Sequence, residues 1–142
     1  MKIDIISVGK LKKEFKDIFE IYKSRVDKTC IFNIIELKEK NINKESDDII
    51  KLIKNDFFKI LLSPQGKFIK SNDFFGNLLS INTKIQFIIG GAEGVNEKLF
   101  KNVDEAISFS NLIFPHQLFR IMLMEQIYRG ICIINNHPYH KV

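Results

Sequence analysis

Residues 107–129 read ISFSNLIFPHQLFRIMLMEQIYR, and the organisation of the chain is clearest from this stretch. It opens as a short strand-like run, breaks at Pro115 and His116, and continues as the most apolar helix-period segment of the sequence. A strand that ends in a proline-marked turn leaves unpaired backbone N–H and C=O groups at its carboxyl end, where α/β proteins bind ligands. The stretch therefore predicts one wall of a ligand pocket.

A second strand end lies just upstream. Residues 85–89 (IQFII) form an apolar strand run, and the loop GGAEG at residues 90–94 follows it. Its spacing, G-G-x-x-G, is not the dinucleotide fingerprint G-x-G-x-x-G, and it comes too late in the chain for a Rossmann cofactor domain. On position alone, a tight turn and a ligand-binding loop are equally good interpretations. Two strand ends so close in sequence suggest one pocket.

Apolar periodicity predicts alternating strands and helices along the whole chain. Ser46 is expected to cap the second helix and residues 63–66 (SPQG) to end the third strand. This order predicts an α/β fold in one domain, residues 1–142, with a mostly parallel sheet flanked by helices. The predicted strands are 2–8, 30–37, 57–62, 85–89 and 107–113, and the predicted helices are 11–26, 46–54, 71–79, 96–106 and 116–133.

The composition is that of an ordinary globular protein, with 45% hydrophobic and 27% charged residues among 142. The apolar runs are too short for a membrane span or a signal peptide, so we expect a cytoplasmic protein with no membrane contact. Cys30 and Cys132 lie in no CxxC or paired Cys/His spacing, so neither a disulfide framework nor a metal site is expected.

The net charge of +5 is unevenly distributed. Residues 1–70 hold 16 Lys and Arg against 11 Asp and Glu, whereas residues 71–142 hold 6 against 6. A basic surface attracts RNA phosphates. A chain so rich in Ile, Lys and Asn also fits an AT-biased genome, so the charge leaves both interpretations open.

Single residues of the C-terminal third have ordinary structural explanations. Residues 109–114 fit a buried strand, His116 a helix start, and Glu125 with Arg129 an exposed ion pair. The polar and aromatic end, residues 135–141, fits a loose tail. None of these features alone indicates a function.

Taken together, the motifs point further. FIIGGAEGV, FSNLIFPHQLFRIMLMEQIYR and NNHPYHK follow one another at separations that resemble the RlmH family of SPOUT-class RNA methyltransferases. KIDIISVGKLK near the start and the ILLSPQGK region are also similar to the family, so the resemblance spans nearly the whole chain. Ala92 and Gln117 stand where the family is expected to vary, and the segment before Ile60 is somewhat short.

The resemblance implies a SPOUT fold with a C-terminal trefoil knot, two chains packed as a homodimer, and S-adenosylmethionine as the cofactor. Apolar residues nearly encircle the last helix, which also favours burial on two sides. At Gly90 we expect the backbone to approach the ligand closely. The family's cofactor-contacting positions fall on Leu62, Gly90, Phe109, Ser110, Asn111, Leu112, Ile113 and Phe114.

The family's reaction is methylation of N3 of a pseudouridine in helix 69 of bacterial 23S rRNA on the assembled ribosome. That nitrogen is a weakly acidic imide and must lose its proton, so a base or a cationic group is needed nearby, whereas a metal is not. His140 and Tyr139 are the favoured catalytic residues, with His137 also in the tail. Arg129, His116 and Lys141 are candidates for RNA contact.

Two other function classes remain open. A non-catalytic RNA-binding or ribosome-assembly protein shares the basic half of the chain but has no reason to bind S-adenosylmethionine. A nucleotide-dependent oxidoreductase shares the glycine loop but binds a dinucleotide. Binding of S-adenosylmethionine, S-adenosylhomocysteine or NADH distinguishes the three.

Overall fold

The computed structural model of the protein describes residues 1–73 and 78–141. Strands and helices alternate along these ranges. In chain order they are β1 (Lys2–Val8), α1 (Lys13–Val26), β2 (Ile31–Leu37), α2 (Ile42–Leu52), β3 (Phe58–Phe68), α3 (Leu78–Ile81), β4 (Lys84–Ile89), α4 (Glu97–Phe100), β5 (Glu105–Ser108) and α5 (His116–Ile134).

The strands form one five-stranded sheet in the order β2-β1-β4-β3-β5. All four neighbouring pairs are parallel, with Ile5 opposite both Ile34 of β2 and Phe87 of β4. The predicted α/β fold with a mostly parallel sheet flanked by helices is therefore confirmed. The trefoil knot stays a prediction.

Both faces of the sheet are covered, which is why its central strands are almost continuously apolar. On one face, Ile5, Phe87 and Ile60 pack with α1 and α5 through residues such as Phe19 and Leu123. On the other face, Ile6, Leu61 and Ile88 pack against Ile49 of α2 and Leu99 of α4. In the ranges that the structure describes, no helix is long and apolar enough to span a bilayer.

Helix α2 begins earlier than predicted. Its N-cap is Asn41, whose side chain accepts a hydrogen bond from the Lys44 N–H. Asn is as good an N-cap as Ser, so the helix starts in the asparagine-rich stretch before Ser46 rather than at Ser46. Ser46, the predicted cap, is buried inside α2 and accepts a bond from the Asn96 N–H at 3.0 Å.

The boundary between α4 and β5 was also predicted wrongly. Helix α4 ends at Phe100 rather than residue 106, and β5 runs Glu105–Ser108 rather than 107–113. The Asp104 N–H donates to the Lys59 carbonyl, and the Lys59 N–H donates to the Asp104 carboxylate. Pairing with β3 therefore extends β5 to the residues before Ile107. No local sequence pattern predicts this extension. The predicted helix 71–79 partly falls on residues 74–77, outside the described residues.

Strand β3 does not end at residue 62. Ile107 of β5 pairs with Leu62 and again with Lys67, so residues 63–66 bulge out between two paired segments. A Cβ at Gly66 would lie 2.4 Å from the Ile107 backbone nitrogen, so the return of the strand requires glycine there. The bulge carries Ser63, Pro64 and Gln65 to the carboxyl edge of the sheet.

Candidate active site

A cavity of about 550 Å³ lies at the carboxyl ends of β4 and β5 and beside the bulge of β3. The bulge of β3 forms one wall, residues 89–95 a second, and residues 108–116 a third. This is the edge at which parallel sheets with helices on both faces bind ligands. Of the eight predicted cofactor residues, seven line it: Leu62, Gly90, Phe109, Ser110, Leu112, Ile113 and Phe114. Asn111 is exposed and is not part of the lining.

The glycine loop is both a tight turn and a cavity wall. The Gly94 N–H donates to the Gly91 carbonyl at 3.0 Å, and Gly94 has φ +85°, a conformation that side chains disfavour. A Cβ at Gly90 would lie 2.6 Å from Cγ1 of Val95. The packing of the loop on itself therefore disfavours a side chain at Gly90, and the expected close approach of the Gly90 backbone to the ligand stays a prediction.

The segment after β5 is irregular, lines the cavity and is held by hydrogen bonds within itself. The Ser108 hydroxyl donates to the Ser110 carbonyl, and the Leu112 N–H donates to the Ser110 hydroxyl. Leu112 and Ile113 are 69% and 91% exposed, which is unusual for such large apolar side chains. An apolar wall with backbone polar groups beside it can hold a heterocyclic base.

His116, the first residue of α5, joins two of these walls. Its Nε2 lies 2.7 Å from the Gly90 carbonyl oxygen. Burial lowers the pKa of His116 below the usual value for histidine, more than the Gly90 carbonyl raises it. The ring is therefore neutral near pH 7 and donates its Nε2–H to Gly90. Its predicted contact with RNA stays a prediction.

Behind this junction, α5 is anchored by a buried arginine that the residue-by-residue interpretation missed. Arg120 is 0% exposed, forms an ion pair with Glu36 and donates to the Gly9 carbonyl at 2.9 Å. Glu36 also accepts from the Leu11 N–H. The available signal was the spacing of four residues between His116 and Arg120, which places both on one face of the helix.

The C-terminal tail folds back onto α5. The Tyr139 hydroxyl donates a hydrogen bond to the Glu125 carboxylate at 3.0 Å. Arg129 forms an ion pair with the same carboxylate and donates a hydrogen bond to His140 Nδ1 at 3.1 Å. The Tyr139 ring meets the Tyr128 ring edge-on at 4.7 Å between centroids. Glu125 and Arg129 are therefore a partly buried anchor for the tail, not the exposed ion pair that their spacing indicated.

This arrangement limits the proton chemistry of the tail. Burial, followed by the bond to Glu125, raises the pKa of Tyr139 to about 12. Tyr139 therefore keeps its proton and can donate a hydrogen bond but not act as a base at neutral pH. His140 Nδ1 accepts from Arg129, and His140 Nε2 is buried without a hydrogen-bond partner among residues 1–73 and 78–141.

Comparison with known proteins identifies the family. The model of the predicted SPOUT methyltransferases matches residues 1–140. The chain belongs to the SPOUT methyltransferase family. It is 43% identical to ribosomal RNA large subunit methyltransferase H of Clostridium botulinum strain Langeland and 45% identical to that of Metamycoplasma arthritidis. The protein of that name from Mycoplasmopsis synoviae is also 45% identical, and each match covers 99% of this chain and 100% of the relative.

Within this SPOUT chain, the cofactor candidates and the catalytic candidates occupy different places. Nine residues separate His116 from Glu125, about 13 Å along the helix. His140 and Tyr139 contact the Glu125 end of α5 and do not line the 550 Å³ cavity. A second cavity of about 450 Å³ lies between α1 and α5 and reaches Glu125, and Phe109 lines both cavities.

In the part of the chain that the structure describes, no group of His, Cys, Asp and Glu is arranged to hold a metal ion.

Proposed function

We propose that this chain binds S-adenosylmethionine in the 550 Å³ cavity and methylates large-subunit ribosomal RNA. The observation that carries the proposal is the convergence of the bulge of β3 and the ends of β4 and β5 on one cavity in a SPOUT methyltransferase. The volume lies within the range of about 300–1,000 Å³ for small-molecule sites. The names of the matched relatives describe them as methyltransferases of large-subunit ribosomal RNA. We propose one catalytic domain over residues 1–142, acting in the cytoplasm because its substrate is there.

The residues present fit the cofactor. Leu62, Phe109 and Phe114 supply apolar surface for the adenine ring, and the backbone of residues 108–112 supplies polar groups for its edge. His116 holds the Gly90 carbonyl and so keeps the two walls together. S-adenosylmethionine, when bound, supplies a methyl group on a positively charged sulfur.

The finer proposal is the acceptor atom, N3 of a pseudouridine in helix 69 of 23S rRNA on the assembled ribosome. The N3–H must give up its proton before nitrogen attacks the methyl carbon. Arg129 provides a fixed positive charge that stabilises the N3 anion, and Tyr139 provides a hydrogen-bond donor once its hydroxyl is released from Glu125. His140 is the proposed base, and it accepts the proton once its Nδ1 is released from Arg129.

A homodimer is part of the proposal. The cavity between α1 and α5 is lined by apolar side chains, among them Ile18, Ile121 and Met122. Ile18 and Ile21 of α1 are 46% and 52% exposed, so a lone chain leaves apolar surface open beside α5. Packing of a second copy on this face buries it.

The decisive experiment combines binding with activity. Calorimetry is carried out with S-adenosylmethionine, S-adenosylhomocysteine and NADH, followed by methyl transfer to bacterial ribosomes that lack the modification. We expect the first two ligands to bind, NADH not to bind, and the ribosomes to be methylated. Binding of NADH alone would favour an oxidoreductase, and ribosome binding without cofactor binding would favour a non-catalytic RNA-binding protein.

A further inference from the structure

Residues 10–16 (KLKKEFK) form a basic segment at the carboxyl end of β1. Lys10, Lys12, Lys13 and Lys16 are exposed and make no ion pair within the described residues. By contrast, eight lysines elsewhere are paired with a carboxylate: Lys23, Lys40, Lys54, Lys59, Lys67, Lys84, Lys98 and Lys101. The exposed acidic neighbours are Glu14, Asp17 and Glu39, whose carboxylate oxygen would lie 3.0 Å from a Cβ at Gly9, so four cations face three carboxylates. The segment keeps its positive charge available.

The backbone of this segment is held by side chains from elsewhere in the fold. The Gln117 amide accepts from the Lys12 N–H and donates to the Lys10 carbonyl, both at 2.8 Å. Glu36 accepts from the Leu11 N–H at 3.0 Å, and Arg120 donates to the Gly9 carbonyl. Four consecutive residues, 9–12, are therefore each tied to α5 or β2. An exposed loop is ordinarily mobile, and these bonds hold its lysines in one place.

The loop is held by a residue that is the sequence neighbour of a cavity-lining residue. Gln117, which holds the loop, directly follows His116, which lines the cavity and bonds to Gly90. Lys12 is also the N-cap residue of α1, and it makes no side-chain cap bond. The positive end of the helix dipole therefore adds to the charge of the lysines.

We infer that Lys10, Lys12 and Lys13 form a phosphate-docking loop that holds the RNA backbone beside the cavity. The side chain of Gln117 holds the backbone of this loop in place. The inference rests on the proposed function, because it is the ribosomal RNA substrate that brings a chain of phosphates to this loop. Lysines contact phosphates without reading sequence, so the loop fixes position while the cavity and tail act on the base.

The test replaces charge without changing length. The variant Lys12→Gln/Lys13→Gln is compared with Lys28→Gln/Lys51→Gln, which removes the same charge from two exposed lysines at the opposite edge of the sheet. Equilibrium binding to large ribosomal subunits that lack the modification is measured across salt concentrations. We expect the first variant to bind roughly thirtyfold more weakly at 0.1 M salt, with a salt slope lower by about 1.4–1.8. The control should bind like the unaltered chain.

A third variant tests the role of Gln117 in holding the loop. Gln117→Leu keeps every charge but loses both bonds to the loop, so we expect weaker binding to the subunits with S-adenosylmethionine affinity retained. The inference would be overturned if both double variants lost the same affinity for the subunits, or if Lys12→Gln/Lys13→Gln lost none. Because binding is measured without methyl transfer, a chain that binds subunits through the loop but never methylates them refutes the proposed function and leaves the docking loop standing.

Discussion

At the scale of single residues, the site depends on side chains that join strand ends rather than on groups that react. His116 bonds to Gly90, Arg120 bonds to Gly9 and Glu36, and Gly66 allows β3 to return to β5. Sequence patterns located the strand ends that line the cavity, because strand ends are visible as apolar runs followed by small or kinked residues. The cofactor positions came from the family resemblance and stay predictions. The patterns did not reveal the joining contacts, since each links residues more than 20 positions apart.

The neutral state of His116 gives a prediction for pH. Its pKa is lowered in the folded chain, so the unfolded chain binds more protons around the ordinary histidine pKa of about 6.5. The contribution of His116 to stability is therefore fully present above that pH and is lost progressively as the pH falls toward the lowered value. Urea unfolding at pH 7.5 and 5.5 should show a larger loss in the unaltered chain than in His116→Asn. Equal losses in the two proteins would assign the pH dependence to other groups.

Gly66 gives a prediction for stability. In Gly66→Ala the added methyl group would stand 2.4 Å from the Ile107 nitrogen, and backbone cannot easily give way. We expect the free energy of unfolding to fall by roughly 1–3 kcal/mol, the usual cost of overpacking, as measured by urea denaturation. Ser63→Ala, in the same bulge, is the matched control and should unfold near the midpoint of the unaltered chain.

At the scale of elements, long periodic segments were predicted correctly and boundaries were not. Helix α5 was predicted at 116–133 and runs His116–Ile134, because its apolar period is strong and Pro115 marks its start. The SPQG stretch carries every local signal of a turn, yet β3 resumes at Lys67 because Ile107 offers a second pairing. From the sequence, the tail could be interpreted only as a loose end or as the carrier of catalytic residues. Its packing could not be predicted, because its contacts with Glu125 and Arg129 are tertiary.

The tail carries the next prediction. Deleting residues 137–142 removes Tyr139 and His140 but leaves the cavity at the other end of α5 intact. S-adenosylmethionine affinity should stay within a few-fold, while methyl transfer to unmodified ribosomes should fall roughly a hundredfold or more, as for loss of a positioned acid–base group. Tyr139→Phe and His140→Ala should divide the loss. A truncated chain with a near-normal rate would move the search for the base to His116, with Arg129 as the cation that stabilises the N3 anion.

At the scale of the whole molecule, the five parallel strands bring three chain segments to one edge and leave an apolar cavity between α1 and α5. The knot was implied only by the resemblance, because topology rules disfavour knots, whereas the second copy was also indicated by the apolar residues that nearly encircle the last helix. Both stay predictions that concern the assembled protein.

The dimer can be tested directly. Light scattering after size-exclusion chromatography should give twice the chain mass of 16.6 kDa. Ile18→Lys/Met122→Lys places two charges in the apolar cavity beside α5 and should shift the protein toward the monomer, whereas Lys28→Gln/Lys51→Gln should leave the mass unchanged. A chain that elutes as a monomer at micromolar concentration before any substitution would refute the proposed homodimer.

The packing of the tail also has an optical consequence. The chain contains no tryptophan and three tyrosines, Tyr22, Tyr128 and Tyr139. All three belong to one cluster, because Tyr128 meets Tyr139 edge-on and the Arg25 guanidinium lies over Tyr22 and Tyr128. The intrinsic ultraviolet emission of the protein therefore originates almost entirely where the tail rests on α5. We expect tyrosine fluorescence of the unlabelled chain to report whether the tail leaves α5 when RNA binds.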